Sequence, residues 1–427
     1  MSDPATNENL RAERRERESA GEHQGGSVRK GWRMKSLIGV CEVFADGDWI
    51  ESKDQSADGV RLIQTGNVGE GVFKDRAEKA RYISEATFKR LRCTEIFEGD
   101  CLLSRLPDPV GRSCILPDTG ERMITAVDCT ILRFNPKQLL PTFFNHYSQS
   151  DDYLTTVAKE CTGTTRNRIS RSNLGLTPIP VPPLAEQQRI VGLLDEAFEG
   201  LATAKVNAEK NLQNARAIFE SHLQSVLRNK KWKWKTLGDL CDDVEYGSSS
   251  KSKKEGKVPV LRMGNIQDGK LDWENLVYTD DKDETKKYLL KHNDVLFNRT
   301  NSPELVGKTA IYRGEMPAIF AGYLIRIHRK EELLDADFLS YFLNSQIAFD
   351  YGKTVVISSV NQANINGTKL KSYPIPAPSL SEQKTIVAKL DALSEETQRL
   401  ASLYEQKLAA LEALKKSLLH QAFTGEL

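Results

Sequence analysis

The chain has 427 residues, 39% of them hydrophobic and 28% charged, with a formal net charge of +1. That length exceeds one ordinary core and predicts two or three domains, while the composition excludes a disordered polymer. No run approaches the roughly 18 apolar residues a bilayer crossing needs, and the near-zero charge leaves a nucleic-acid partner to be met by local basic patches.

Met1–Lys30, with RAERRERESAGEHQGGSVRK, has almost nothing to bury and reads as an N-terminal extension. It contains no apolar h-region, so the expected compartment is the cytoplasm. The seven cysteines (41, 93, 101, 114, 129, 161 and 241) form no CxxC pair and six lie in the first half. That pattern predicts buried thiols, and neither a disulfide framework nor a metal site.

From 31 to 183, and again from 229 to 379, short apolar runs are divided by Gly, Asn, Asp and Pro, as in a mixed α/β domain. Val260-Leu261, Val295–Phe297 and Leu324–Ile327 read as strands, and Phe338–Phe349 as one helix. The two stretches match each other. LIQTGNVGEG (62–71) answers to VLRMGNIQDG (260–269), GDCLLSR (99–105) to NDVLFNR (293–299), and VGRSCI (110–115) to VGKTAI (306–311). Gly66-Asn67 and Gly264-Asn265 suit hairpin turns at positive φ, and Trp32, Trp232 and Trp234 suit core anchors.

Each domain is followed by the same entrance to a helix. PIPVPPLAEQQRIVGLLD (178–195) and PIPAPSLSEQKTIVAKLD (374–391) agree at eleven of eighteen positions. Prolines there lack an amide hydrogen and favour extended backbone, which holds the domain at a set angle to the helix. Glu186 and Glu382 then fall in a first helical turn, where the dipole favours negative charge.

Over 184–228 and 380–424 the apolar spacing becomes alternately 4 and 3. Ile190, Leu194, Leu201 and Ile218 lie on one seam, and Ile386, Leu390, Leu393, Leu400, Leu411 and Leu414 on the other. Such a heptad pattern predicts two coiled-coil helices, each about 60 Å long. Small residues on the first seam (Ala197, Ala204, Ala208, Ala215) face large ones on the second (Leu393, Leu400, Tyr404, Leu411), so the helices are expected to pack on each other. Asn211 and Lys407 take equivalent polar seam positions. The resulting fold class is two similar α/β domains separated by two long helices that pair as a coiled coil, a pseudo-twofold internal repeat.

Catalytic patterns are missing. Gly307-Lys308-Thr309 and Gly352-Lys353-Thr354 resemble P-loop ends, but the opening positions hold Ser302 and Ile347. No GxGxxG, HExxH or GxSxG occurs, nor the Asn/Asp-Pro-Pro-aromatic signature of adenine methyltransferases. Catalytic residues and metal ligands are expected to be none.

Polar segments that recur at matching places are the candidate duplex contacts. NRTNSPELVGKTA (298–310) supplies Arg299, Asn301, Ser302, Lys308 and Thr309, with Arg105 and Arg112 opposite them in the first domain. TGTTRNR (162–168) supplies Thr165, Arg166 and Arg168, facing Asn361 and Asn364 of SSVNQAN (358–364). Lys251, Lys253 and Lys254 lie on the loop GSSSKSKKEGK (247–257). Arg and Lys reach guanine O6 and N7, Asn pairs with adenine, and hydroxyls suit phosphate.

The duplicated helix entrances, FNRTNSPELVGKTAIY (297–312) and the terminal LLHQAFTGEL (418–427) resemble the specificity (S) subunits of type I restriction-modification systems, over nearly everything beyond residue 30. The resemblance implies two target-recognition domains, each reading half of a bipartite double-stranded DNA target, and two helices packed as an antiparallel coiled coil, a spacer that sets the gap. It also implies two methyltransferase (M) subunits carrying S-adenosylmethionine, and two restriction (R) subunits using ATP and Mg, in a prokaryotic cytoplasm; no cofactor falls to this chain. Apart from the resemblance, the residues also permit a coiled-coil protein-interaction scaffold, or a DNA-binding regulator without methyltransferase partners.

Overall fold

The computed structural model describes residues 31–163, 167–359 and 362–427. The extension 1–30 and the candidates Thr165, Arg166 and Asn361 lie outside them. The chain divides into two compact units, one running to Asn207 and completed by Lys407–Leu427, the other Ala208–Gln406.

In the first unit a four-stranded antiparallel sheet has the order Cys41–Asp46, Cys129–Phe134, Cys101–Ser104, Ser113–Ile115. Beside it, Val60–Ile63 pairs in parallel with Met123–Thr125 in a five-stranded sheet. The second unit repeats the plan. Its four-stranded sheet is Cys241–Tyr246, Leu324–Arg329, Val295–Asn298, Thr309–Ile311, and Val258–Leu261 pairs in parallel with Ile319–Phe320. The central strands CLLS and VLFN are buried at every position, which is why their first three residues are apolar without alternation. At the end of the first strand of each sheet a glycine is required. A Cβ on Gly47 would sit 2.3 Å from the Thr125 carbonyl oxygen, and one on Gly247 2.3 Å from that of Phe320.

Two expectations need correction here. Gly66-Asn67 and Gly264-Asn265 do turn the chain, but as 3-10 turns Thr65–Asn67 and Met263–Asn265 with neither glycine at positive φ. The asparagine amides account for the pattern. Asn67 Nδ2 donates to the carbonyls of Lys74 and Asp75 while its Oδ1 accepts from Gln64 N, and Asn265 does the same with Asp272, Glu274 and Arg262. The single helix expected over Phe338–Phe349 is two, Ala336–Leu343 and Gln346–Val355, because Ser345 caps the second by accepting from Ala348 N. Ser150 divides Pro141–Tyr147 from Asp151–Lys159 in the same way.

The proline entrances are strands. Pro178–Val181 pairs antiparallel with Arg33–Ser36, and Pro374–Pro376 with Trp234–Thr236, each as a two-stranded ribbon that leaves the donor-less proline nitrogens on an unpaired edge. Trp32 packs on the first core. Trp232 is half-buried, its indole donating to Glu382, whereas Trp234 is 43% exposed and meets the core through an edge-on contact with Phe342.

The first helical turn then carries a lock. Gln187 is fully buried. Its Nε2 donates to the carbonyls of Gln138 and Pro182, and its Oε1 accepts from Leu140 N, just ahead of helix Pro141–Tyr147. Gln383 repeats this with Leu333, Pro378 and Asp335 N ahead of helix Ala336–Leu343. One amide thus fixes entrance strand, domain loop and long helix together, and losing it would strand buried groups at about 1–3 kcal/mol each.

The two long helices are Leu184–Leu227 and Leu380–Thr424. Within each unit they pair antiparallel. Ile190 and Leu194 share the first core with Leu419, Ala422 and Phe423, and Lys205 Nζ lies 2.6 Å from Glu412. Leu223 and Leu227 share the second with Leu390, Ile386 and Val387, and Arg216 lies 2.8 Å from Glu405. Of the expected seam, Ile190, Leu194 and Leu390 are buried, and Leu201, Ile386, Leu393, Leu400 and Leu411 half-buried. Ile218 and Leu414 are not in it. Each is 47% exposed, and Asn211 and Lys407 are exposed as well. The inward stripe passes instead through Leu212, Phe219 and Leu223 on one helix and Leu408 and Leu419 on the other.

Candidate nucleic-acid interface

In both units one edge of the four-stranded sheet is organised by an arginine. Arg299 donates through its backbone N–H to the Tyr323 carbonyl, and its own carbonyl accepts from Ile365 N. Its guanidinium donates to Gly322 O at 3.2 Å and to Asn364 Oδ1 at 3.1 Å, and lies over the Tyr246 ring at 4.9 Å from the centroid. Arg105 sits in the same frame, with its N–H on Asp128 O and its carbonyl accepting from Ile169 N. Its guanidinium donates to Val127 O at 2.7 Å and Ile169 O, and pairs with Asp46 at 3.2 Å.

The surrounding loops are held to the same edges. Ser248, at the root of the basic loop, donates N–H to Phe320 O and accepts from Gly322 N. Asp48 correspondingly donates to Thr125 O and accepts from Val127 N. In the second unit the ribbon of Thr300–Asn301 with Gln362–Asn364 brings Arg299, Asn301 and Asn364 to one place, with Tyr246 41% and Tyr323 46% exposed beside them. In the first unit Arg168 is tied to Thr162 by two backbone hydrogen bonds of 2.9 Å and pairs with Asp128 at 2.8 Å.

The other candidates fall elsewhere. Arg112 is 8% exposed and donates to the carbonyls of Val68, Leu106, Pro109 and Thr65, so its charge is engaged by the fold and does not face a duplex. Arg105 is 4% exposed and likewise internal. Burial pushes the guanidinium of each below its ordinary value, with Asp46 acting against this at Arg105. Thr309 is fully buried, its hydroxyl donating to Gly307 O. Asn301 and Ser302 are half-buried and bonded to each other, side-chain oxygen to N–H. Lys308 lines a cleft shared with Phe219 and Tyr341, away from Arg299. Lys251 and Lys254 are exposed, while Lys253 pairs with Asp280 at 3.1 Å.

Sequence reasoning passed over Asp46, Tyr246, Asp128 and Tyr323. A signal existed. Placing the two repeats in register puts Asp46 on Tyr246 and Asp128 on Tyr323, positions where the frame agrees and the side chain does not.

Residues 29–211 and 229–412 each match the family model of the type I restriction modification DNA specificity domain. The StySPI specificity subunit of a type I restriction enzyme from Salmonella potsdam is 27% identical over 309 residues, covering 68% of this chain and 66% of that one. The EcoKI specificity subunit of Escherichia coli K12 is 26% identical over 318 residues, covering 70% and 68%. The alignments thus span about two thirds of these relatives' length. Among solved structures, a chain from work on complex assembly and conformational transition of the type I R-M system superposes with a TM-score of 0.77 at 20% identity, covering 94% of this chain and all of that one. The HsdS subunit from Thermoanaerobacter tengcongensis gives 0.61 at 20% identity, covering 94% and 99%. At that identity the superpositions carry the fold alone. With two family matches that together take in most of its residues, the chain belongs to the family of type I restriction modification DNA specificity domains.

Proposed function

We propose that this chain is the DNA-reading subunit of a type I restriction-modification complex in a prokaryotic cytoplasm. Its domains, 31–183 and 229–379, each read one half of a bipartite duplex target, and the helices 184–228 and 380–424 set the unread gap and dock two methyltransferase subunits. The chain itself is non-catalytic. Methylation with S-adenosylmethionine resides in those partners, and ATP- and Mg-dependent cleavage in two restriction subunits. The observation that carries this reading is the duplication of a complete unit, arginine-centred sheet edge and glutamine-locked helix included, because two readers on one chain require a split target.

Exposed Arg168, Lys251 and Lys254 and the edge around Arg299 are the proposed contact points. Selection from a randomised duplex pool, using the chain with the methyltransferase subunits of its own system, is expected to return two short conserved blocks separated by a fixed run of arbitrary sequence. One uninterrupted block, or no enrichment, would count against it.

A further inference from the structure

The two sheet edges share their frame and differ in the side chains mounted on it. Arg105 and Arg299 each donate a backbone N–H to the residue at one rim position, Asp128 or Tyr323, and each accepts from the residue after the other rim position, Arg168 or Asn364. Asp128 and Tyr323 are therefore structural counterparts, as are Arg168 and Asn364. The chemistry at these paired places is opposite. The first unit presents an ion pair, Arg168 47% and Asp128 30% exposed, with Arg168 held at the backbone by Thr162. The second presents Tyr323, 46% exposed, beside an asparagine whose amide is engaged on both sides, Oδ1 by Arg299 and Nδ2 by Thr300.

We propose, resting on the DNA-reading function above, that this rim sets the different base preferences of the two domains. Arg168 takes a guanine edge through paired N–H donors, with Asp128 as its positioning residue, and Tyr323 offers a neutral ring and hydroxyl at the equivalent place in the other half-site. The carboxylate decides between a base and the backbone. A phosphate next to Asp128 meets a nearly neutral pair, so little long-range attraction remains, whereas guanine O6 and N7 need two directed donors rather than net charge. Phosphate tracking is better served by exposed cations such as Lys251 and Lys254 in the other unit, neither of which is ion-paired among the described residues.

The test uses the full chain with its methyltransferase partners and a randomised duplex pool, comparing Arg168→Lys and Tyr323→Ala with the unaltered protein. Lysine keeps the charge and removes the fork. Arg168→Lys is expected to cut the preference for one G·C pair in one half-site by roughly tenfold or more while the other half-site is unchanged, which also certifies a folded complex. Tyr323→Ala is expected to alter only the opposite half-site. An even weakening across all sequences would make Arg168 a phosphate contact and overturn the assignment, and so would an unchanged profile. If the unaltered complex selects no sequence at all, the failure belongs to the DNA-reading function and not to the rim.

Discussion

His146 and Tyr341 occupy the same place in the two repeats, and each meets an aspartate of the long helix behind it, Asp195 at 2.8 Å from His146 Nε2 and Asp391 at the Tyr341 hydroxyl. Nε2 faces the Asp195 carboxyl group, and the buried Nδ1 finds no partner among the described residues. Burial pushes His146 below its ordinary value; Asp195 pulls the other way and Lys415 adds to the depression. A depressed folded value means the unfolded chain takes up the proton first as pH falls. The stability tied to His146 is therefore complete above about pH 6.5 and is lost below it, at up to about 1.4 kcal/mol per pH unit. His146→Gln, which keeps a donor but cannot titrate, is expected to flatten the fall in melting midpoint between pH 7.5 and 5.5, and an unaltered slope would refute the assignment. At this scale the sequence is least legible. Arg299 and Arg112 both sit in recurring polar segments, yet one lies at a half-exposed edge and the other is engaged by four carbonyls, a difference set by partners distant in the chain. Gln187 and Gln383 were readable as an identical glutamine in both first turns, but an amide's role depends on which carbonyls come near.

Both long helices were legible from apolar spacing, and their partnership from the match of small to large residues; the antiparallel direction came only with the family resemblance. The strict seam failed for a geometric reason. A straight α-helix turns every 3.6 residues, so a 3.5-residue repeat drifts by about 20° per heptad, and after four heptads the inward face has moved by one position. Hence Phe219 points inward where Ile218 was expected, and Leu223 follows it on the same stripe. Leu223→Ala should cost about 2–4 kcal/mol as a buried truncation, and Ile218→Ala about 1 kcal/mol or less. Denaturant midpoints measure both, and equal costs would mean the stripe follows the heptad after all. The break at Ser345 is a further case, since a serine inside an apolar helical pattern can end one helix and cap the next.

The duplication, the two α/β domains and the order of domain and helix were all visible in the sequence, because repeated motifs survive at a near-constant offset. Sheet topology was not. The parallel pairing of Val60–Ile63 with Met123–Thr125 joins segments about 60 residues apart, and no local period encodes it. If the helices act as a ruler, removing one heptad from each shortens it by about 10 Å, close to three base pairs. The selected gap should contract accordingly with both half-sites intact, and an unchanged gap would remove the ruler from the proposal. One core also has an unusual schedule. Phe423, which follows the second domain in the chain, stands edge-on to Phe143 and Tyr147 and helps close the first unit rather than the second. A segment made after the whole second domain is therefore needed to seal the first, and a truncation that removes Phe423 would injure the half encoded upstream of it rather than the half beside it.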